Sequence, residues 1–410
     1  MSFFIDKKID QNYHFTKRTL LIVGFIMIVL PIMFNVFEKS DSVSLVNNTK
    51  NVKPIWEKSF FDNDFASIDS ITETKNGYLI VGKKTLSSTV KVIEISELGE
   101  VLWGKNFVGH GSMGLTAIEI ENAYIVSNSA RPKENGTTYI IDKSHHRVIA
   151  KIPYCFNSLA ACDDGFIATD EDNNIYRFDG KGDEFWHKKI DINRTITHYR
   201  RSSQNNEVQK VQVPGIAFSK VIATKDGNYI AIAGRSFFIM KFNRYGEIIW
   251  KHDFTERYQG WFHDIIEMPD GSFLANVKLK GELHLFKLDS KGNILYNKKI
   301  ADYKQRPFSW SFNQFKDNQY LLSASFISRD FVHLFIVDAN GEIQNHRKIS
   351  LAQKDFLIKD GMIRTGATMQ DGSILLGGHV ICERETSFVA NGKRHKTLEI
   401  KDIGVLYKIE

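Results

Sequence analysis

After residue 54, hydrophobic and polar residues alternate in short stretches that are separated by turn-forming dipeptides such as Asn-Gly and Asp-Gly. Alternation with a period of two is typical of β-strands that bury one face. Asn-Gly and Asp-Gly suit tight hairpin turns, because both turn residues can adopt positive φ. The pattern therefore predicts a chain of short antiparallel strands joined by tight turns.

One signature, a turn dipeptide followed by an alternating strand, occurs seven times. The copies begin at Asn76-Gly77, Glu121-Asn122, Asp164-Gly165, Asp226-Gly227, Asp270-Gly271, Asp317-Asn318 and Asp371-Gly372. A second signature, for which Arg244–Phe254 (RYGEIIWKHDF) is the model, adds another turn and a strand that often carries tryptophan. Each repeat then holds four strands in about 45 residues, which is the period and strand number of a β-propeller blade.

The two ends of this repetitive region are complementary. The chain finishes with Asp402–Glu410 (DIGVLYKIE), which resembles a third strand that no fourth strand follows. The region begins with Pro54–Phe60 (PIWEKSF), which resembles a fourth strand that no blade precedes. We therefore predict an all-β, seven-bladed propeller in which residues 54–60 pair beside Gly404–Lys408. Such a closure leaves no free sheet edge.

Four tryptophans occupy one position of the fourth strand: Trp56, Trp103, Trp186 and Trp250. Four equivalent positions around a ring cannot all face one ligand. The sequence therefore predicts that these rings are buried between blades, where they remove apolar area from water.

An uncharged stretch of 19 residues, Thr19–Phe37, precedes the repeats. A helix of that length spans roughly 28 Å, close to the thickness of a bilayer core. Positive residues before it favour a cytoplasmic N-terminus and an exported remainder. The prediction is a cytoplasmic segment (1–18), a single transmembrane helix (19–37), a linker (38–53) and a propeller (54–410), anchored in a bacterial inner membrane with the propeller on the periplasmic side. A cleaved signal peptide stays open as the alternative.

Composition excludes several classes of function. The 410 residues are 42% hydrophobic and 25% charged with a net charge of +6, and the basic residues are scattered, so no nucleic-acid partner is predicted. Three cysteines without a CxxC or Cys/His spacing indicate neither a disulfide scaffold nor a metal site. No common catalytic motif occurs, so neither a cofactor nor a catalytic residue is predicted.

The stretch DGNYIAIAG (Asp226–Gly234), followed by FFIMKFNRYGEIIWKHDF (Phe237–Phe254), resembles bacterial propeller repeats. It is distantly similar to the repeats of quinoprotein-like and BamB-like propellers. The resemblance covers residues 54–410 and implies architecture more than activity. Quinoprotein dehydrogenases usually have eight blades and ligands for calcium and a quinone, none of which can be assigned here. BamB-like lipoproteins carry a lipobox cysteine, whereas the first cysteine of this chain is Cys155.

In a propeller, the first strand of each blade lines the central channel, and the longer connections lie on one face. Two long polar and basic insertions, Asp191–Gly215 and Val380–Leu398, are expected on that face as loops. Their arginines include Arg200, Arg201, Arg384 and Arg394. The loops are either solvated surface or flaps beside a site for an anionic partner.

Two tryptophans lie outside the repeat position, Trp261 and Trp310. They accompany Arg257, His263 and Arg306, a combination that suits a sugar, an acidic group or a peptide. The aromatic rings could equally plug the channel.

First strands also offer four titratable candidates for catalysis: Asp69, His263, Asp264 and Arg364. His263 and Asp264 are expected to point to opposite faces of their strand and thus not to form a relay.

The sequence favours a non-enzymatic, membrane-anchored scaffold that binds an envelope protein or an anionic polymer. The alternative is a propeller enzyme that acts on a sugar or a sulfated substrate. A quinone-type redox protein is the third hypothesis.

Overall fold

The structure is a computed structural model in which the described residues are 50–409, without 52, 61–64, 85–88, 109–113, 130–135, 171, 191–194, 202–207, 215–216, 235, 259, 302–307, 326–330, 352–356 and 391–392. By its internal contacts the chain divides into Met1–Thr49 and Lys50–Glu410. The predicted membrane helix, residues 19–37, lies outside the described residues. The described residues include no helix that could cross a membrane.

Seven blades, each with four antiparallel strands, follow one another along the chain, and the sheet of the sixth blade has β1 as a fifth, parallel strand. The N-terminal strands are β1 (Lys50–Asn51) and β2 (Trp56–Phe60). Blade 1 holds β3 (Ser67–Thr74), β4 (Gly77–Lys83), β5 (Thr89–Ile95) and β6 (Val101–Val108). Blade 2 holds β7 (Gly114–Glu119), β8 (Ala123–Ser129), β9 (Thr137–Asp142) and β10 (Val148–Ile152). Blade 3 holds β11 (Ser158–Cys162), β12 (Gly165–Thr169), β13 (Asn174–Asp179) and β14 (Glu184–Lys189).

A separate hairpin of β15 (Thr195–Arg201) and β16 (Val208–Pro214) precedes blade 4. Blade 4 holds β17 (Phe218–Ala223), β18 (Tyr229–Ala233), β19 (Phe238–Phe242) and β20 (Ile248–Asp253). Blade 5 holds β21 (Gly260–Glu267), β22 (Phe273–Leu279), β23 (Glu282–Leu288) and β24 (Ile294–Ala301). Blade 6 holds β25 (Phe308–Lys316), β26 (Gln319–Ser325), β27 (Phe331–Asp338) and β28 (Ile343–Ser350). Blade 7 holds β29 (Leu357–Thr368), β30 (Ile374–Ala390) and β31 (Lys393–Ile409), with β2 as its fourth strand.

The predicted closure of the ring is confirmed. β2 runs antiparallel to β31, with Trp56 opposite Lys408 and Phe60 opposite Gly404. The seventh blade is thus completed by a strand from the other end of the propeller. In the stretch expected to be linker, β1 pairs in parallel with β28, and Lys50 lies opposite Arg347.

The hydrophobic core lies between neighbouring blades. At the seam of blades 1 and 2, for example, Val81 and Val92 pack in one cluster with Leu115 and Val126. Because each sheet buries both of its faces against its neighbours, the strands are rich in apolar residues at successive positions.

The repeated tryptophans lie at these seams, but the prediction that they are buried is wrong. Trp250 packs on the glycine of the next blade's second turn, since a Cβ built on Gly292 would lie 2.6 Å from the indole Cζ3. The Trp250 Nε1 donates to the Ser290 carbonyl at 3.1 Å. Trp186 with Gly246 and Trp56 with Gly99 repeat this packing. All these rings are half-buried, because the fourth strand forms the solvated outer rim of each blade.

In blades 3, 4, 5 and 7, an ion pair fixes the aspartate of the first turn. Asp226 accepts from the buried Lys241 Nζ at 2.6 Å, and Asp371 accepts from the buried Lys408 Nζ at 2.7 Å. Each pair joins the first turn to the third strand, and the Lys241 and Lys408 side chains are only 8% exposed. This face of the propeller therefore has little freedom to specialise.

The two long insertions contain paired strands instead of the expected loops. Within residues 191–215, β15 pairs with β16 from Thr195 opposite Pro214 to Arg201 opposite Val208. Within residues 380–398, β30 and β31 extend their ladder to Ala390 opposite Lys393. β16 contains β-branched residues at alternating positions, and such residues favour the strand conformation. This preference explains why the insertions form hairpins. One hairpin follows a fourth strand and the other joins a second to a third strand, so both connections lie on the face where the inner strands begin.

Candidate functional site

A cavity of about 570 Å³ occupies the central channel, and residues from the inner strands of all seven blades line it. Cavities of several hundred cubic ångströms are the usual size of small-ligand sites. The wall is mostly polar, with serine, threonine and asparagine side chains between a few charged groups. The channel is therefore the first place to look for chemistry.

Five of the seven inner strands contain a β-bulge at the same position. The residues left between the paired positions are Asp69, Ser219, His263, Trp310 and Arg364. Each lies seven residues before the aspartate or asparagine of its blade's first turn. Equivalent positions in the blades of a ring lie at one depth along its axis. We call these five residues the bulge ring.

The bulge in β21 corrects the expectation that His263 and Asp264 point to opposite faces. Phe262 pairs with Val277 and Asp264 pairs with Asn276, so His263 is an extra residue in the strand. A bulge interrupts the alternation of side chains and aims a residue in a new direction. Both His263 and Asp264 line the channel cavity.

The His263 imidazole is neutral at physiological pH. Burial, together with the positive charge of Lys278, lowers the pKa of His263 to about 4. The ring of Trp261 stands edge-on to the imidazole, with ring centroids 6.1 Å apart, and Lys278 Nζ lies 5.4 Å from the centre of the Trp261 ring. A neutral imidazole in a cavity can act as a base or a nucleophile.

An ion pair lies beside His263. The Lys220 Nζ of blade 4 is 3.2 Å from the Asp264 Oδ1 of blade 5. Asp264 is buried and also accepts from the Ile265 amide at 2.8 Å. Lys220 is more exposed than Asp264 and lines the cavity, so it presents positive charge to the channel.

A second ion pair lies at the seam between blades 7 and 1. Arg364 Nη1 is 3.0 Å from Asp69 Oδ1, and Ser67 Oγ donates to Asp69 Oδ2 at 3.0 Å. Arg364 Nε donates to His379 Nδ1 at 3.2 Å. Both Asp69 and Arg364 belong to the bulge ring and line the cavity.

Several wall hydroxyls serve the structure of the ring. Ser158 Oγ accepts from the Val221 amide at 3.0 Å, and Thr365 Oγ1 accepts from the Ile71 amide at 3.1 Å. Both bonds join the inner strands of adjacent blades. They fix the spacing of the strands that carry the charged residues.

The structure brings only some of the sequence candidates together. Trp261 and His263 line the channel, whereas Arg257 is exposed and its guanidinium lies 5.2 Å from the Tyr258 ring centre. Trp310 takes the bulge position of β25. The remaining arginines do not belong to the described channel wall: Arg200 and Arg201 are in β15, Arg384 is in β30, Arg394 is in β31, and Arg306 lies outside the described residues.

Lys220 and Ser219 were missed by the sequence analysis. The signal that could have found them is the constant spacing of seven residues from the bulge position to the first turn, which marks Ser219 and so its neighbour Lys220. Among the described residues, no group of three or more His, Cys, Asp or Glu side chains could hold a metal ion.

Comparison with known proteins gives one family match. The profile described as Arylsulfotransferase (ASST) matches residues 121–284. This segment includes β17 and β21, and therefore Lys220, His263 and Asp264. No curated protein matches the whole chain or a part of it.

Solved structures that resemble this chain are propeller-like. The WD40 domain of Pan2 from Neurospora crassa has a TM-score of 0.51 at 8% identity, over 88% of this chain and 96% of that one. BamB from Moraxella catarrhalis has a TM-score of 0.45 at 11% identity, over 83% and 85% of the two chains. A streptogramin B lyase has a TM-score of 0.48 at 12% identity, over 86% and 97%. The predicted resemblance to propeller proteins is confirmed at the level of the fold.

The family match corrects the function that the sequence favoured. A non-enzymatic scaffold was expected because the chain contains no familiar catalytic motif. The match of residues 121–284 to an arylsulfotransferase profile points instead to an enzyme, and it favours the alternative of a sulfated substrate. The motif search failed because the candidate groups come from separate blades and have no short sequence pattern.

Proposed function

We propose that the protein is an enzyme that acts on aryl sulfate esters and transfers their sulfuryl group to a hydroxyl acceptor. The observation that carries the proposal is the match of residues 121–284 to the arylsulfotransferase profile. The matched segment contains the one histidine of the bulge ring, His263, with its neighbours Lys220 and Asp264.

The chemistry of a sulfate ester agrees with the groups in the channel. The sulfuryl group carries negative charge on its oxygens, and Lys220 supplies positive charge at the cavity wall beside His263. Fixed charges in a partly desolvated cavity stabilise charge that is redistributed in a transition state. The Trp261 ring offers an apolar surface for an aryl group.

His263 is the candidate group that handles the acceptor's proton. In the transfer, the bond from sulfur to the donor's phenolic oxygen breaks and a bond from sulfur to the acceptor's oxygen forms. The acceptor's hydroxyl proton passes to His263 and then to the departing phenolate. With a pKa of about 4, His263 is unprotonated at neutral pH, which is the form that accepts a proton.

The location of the enzyme is a further part of the proposal. The uncharged stretch Thr19–Phe37 supports a membrane anchor, and the charges around it support a propeller on the periplasmic side. Protease added to intact spheroplasts should then remove the propeller and leave a small membrane fragment. Protection of the propeller would contradict this topology.

The activity is tested with purified protein, 4-nitrophenyl sulfate as donor and phenol as acceptor. The proposal expects release of 4-nitrophenol that depends on phenol, together with an equal amount of phenyl sulfate detected by mass spectrometry. Release of inorganic sulfate without phenyl sulfate would indicate hydrolysis. No release of 4-nitrophenol from this or other aryl sulfates would contradict the proposal.

A further inference from the structure

Around Arg364, positive charge exceeds negative charge. Arg364 contributes one positive charge and Asp69 contributes one negative charge. Lys83, at the end of β4, lies opposite Ser67 and contributes a second positive charge. The His379 nitrogen that accepts from Arg364 carries no proton, because a guanidinium can only donate. While that bond is present His379 is neutral, so the group of Arg364, Lys83, Asp69 and His379 has a net charge of +1.

The donors of this group are not all used by the protein. Asp69 is nearly saturated, since one carboxylate oxygen accepts from Arg364 and the other from Ser67. Arg364 uses Nε and Nη1, and neither its Nη2 nor the Lys83 side chain has a hydrogen-bond partner within the part of the chain that the structure describes. The Asp69 side chain is 5% exposed and Arg364 is 35% exposed, so the cation is the member of the pair that faces the cavity.

Lys83 belongs electrostatically to the same group. Burial lowers its pKa, the Asp69 carboxylate opposes that change, and the Arg364 charge adds to it. The two cations therefore repel each other, and the Asp69 carboxylate offsets part of that repulsion. An anion that enters from the cavity would relieve this repulsion.

The position of Arg364 separates this group from His263. Both residues belong to the bulge ring, so they lie at one depth in the channel, but Arg364 is in blade 7 and His263 is in blade 5. The cation next to His263 is Lys220, through its pair with Asp264. A ligand that lies across the channel could therefore place one group at His263 and Lys220 and another at Arg364.

We propose that Arg364 and Lys83 form a second anion subsite, and that the preferred substrate carries a carboxylate, sulfate or sulfonate in addition to the sulfate ester that reacts. This inference rests on the proposed function for the identity of the reacting group. The subsite itself is a property of binding and is tested without turnover.

The test is calorimetric titration of the purified full-length protein with aryl sulfonates, whose carbon–sulfur bond prevents transfer. Benzene-1,4-disulfonate and biphenyl-4,4′-disulfonate are each compared with the monosulfonate of the same ring system. At least one disulfonate should bind the wild type about tenfold more tightly than its monosulfonate, as expected for an additional charge-assisted contact.

Variants assign the gain to the subsite. Arg364→Gln should remove most of the tenfold gain for the disulfonate and change the affinity for the monosulfonate less than threefold. Lys83→Met should also reduce the gain in affinity for the disulfonate. It replaces Arg364→Gln as the test if Arg364→Gln fails to fold. Lys251→Gln, which removes an exposed charge from β20 outside the channel, is the matched control and should change neither affinity.

Two results would overturn the subsite. One is a disulfonate that binds no more tightly than its monosulfonate for both ring systems. The other is an equal loss of affinity for both ligands in Arg364→Gln, which would make Arg364 part of the first anion site. A protein that shows the disulfonate preference but no sulfuryl transfer would retain the subsite and lose the proposed function, and the reverse pattern would retain the function alone.

Discussion

Arg364 Nη1 lies 3.0 Å from Asp69 Oδ1, although the two residues are 295 positions apart in the chain. The pair joins the inner strand of blade 7 to that of blade 1, at the seam next to the closure of the ring. The pair also sets the charge that the channel presents, because the Asp69 carboxylate offsets part of the positive charge of the Arg364 guanidinium, which faces the cavity.

Asp69→Asn should weaken the fold and strengthen anion binding. The change removes the partner of Arg364 and should lower the free energy of unfolding by about 1–2 kcal/mol, since Arg364 keeps access to water. The freed positive charge should increase the affinity for benzene-1,4-disulfonate. Urea unfolding and calorimetric titration measure the two effects.

Asp226→Asn is the matched control for this prediction. It breaks a similar pair with Lys241 at the turn face, away from the channel. It should lower stability and leave sulfonate affinity unchanged. A fall in sulfonate affinity in Asp69→Asn would contradict the account of this charge group.

Removal of β2 should destabilise the whole ring. A variant that begins at residue 64 lacks β2, exposes the edge of β31 and removes the buried side chain of Phe60. A variant that begins at Pro54 retains β2 and is the control. The thermal midpoint of the shorter variant should be lower by 10 °C or more, or the protein should aggregate. Equal midpoints would show that the closure is not needed for stability.

The closure was predictable from sequence because it depends on a pattern that recurs along the whole chain. PIWEKSF (Pro54–Phe60) has the alternation of the fourth strands and the tryptophan that three other fourth strands carry, and DIGVLYKIE (Asp402–Glu410) lacks such a partner. Two such ends complete one blade when they pair with each other, and the observed register of Trp56 opposite Lys408 agrees with this pairing.

The channel was harder to predict, because no short pattern marks a bulge. Taken alone, the sequence of β21 indicates a regular strand with alternating side chains. Only the alignment of β21 with the first strands of the other blades reveals that His263 is an extra residue. The pairing of Asp69 with Arg364 depends on which blades are adjacent, which follows from the closure and not from either residue's neighbours in sequence. The exposure of Trp250 was misjudged because burial at the outer rim depends on distance from the axis.

Gly292→Ala should cost more stability than Gly227→Ala. Both glycines have positive φ, +80° and +75°, so each alanine imposes backbone strain of about 1–2 kcal/mol. Gly227 has no atom within 4 Å of the added methyl group, whereas at Gly292 the methyl group would meet the Trp250 ring at 2.6 Å. The difference between the two variants in urea unfolding therefore measures the packing of Trp250 and its neighbour His252 on the next blade.

A double variant separates the two contributions at this seam. Trp250→Ala combined with Gly292→Ala should remove the part of the steric cost that the indole imposes and leave the close approach to His252 Cδ2 at 2.7 Å, so the two changes should cost less together than the sum of the single changes. Additive losses would contradict the packing described for the seams.

Stability should decrease in acid partly through Asp371. The hydrogen bond from Lys408 is the main cause that lowers the pKa of Asp371, to about 2, whereas a free aspartate titrates near pH 4. A carboxylate with a lowered pKa stabilises the fold above its unfolded pKa, and this contribution is lost as the pH falls from about 4 to 2. The stability difference between wild type and Asp371→Asn should therefore be largest near neutral pH and should shrink below pH 4.

Asp317→Asn is the control for the pH experiment. Asp317 has the same turn position in blade 6, where Ile336 replaces the lysine of the third strand. This variant should change stability little at any pH. A constant difference between wild type and Asp371→Asn from pH 7 to pH 2.5 would contradict the role given to the Lys408 pair.

The central claim is that the channel around His263 is a sulfuryl-transfer site. The rate at which phenyl sulfate forms from 4-nitrophenyl sulfate and phenol tests this claim most directly. The rate is compared among three proteins that have the same folded fraction. Wild type and His187→Ala, which alters an exposed histidine on β14, should have the same rate, and His263→Ala should be slower by at least a hundredfold. The wild-type rate should persist down to about pH 5, because the pKa of His263 is near 4. A rate in His263→Ala within threefold of wild type would contradict the claim.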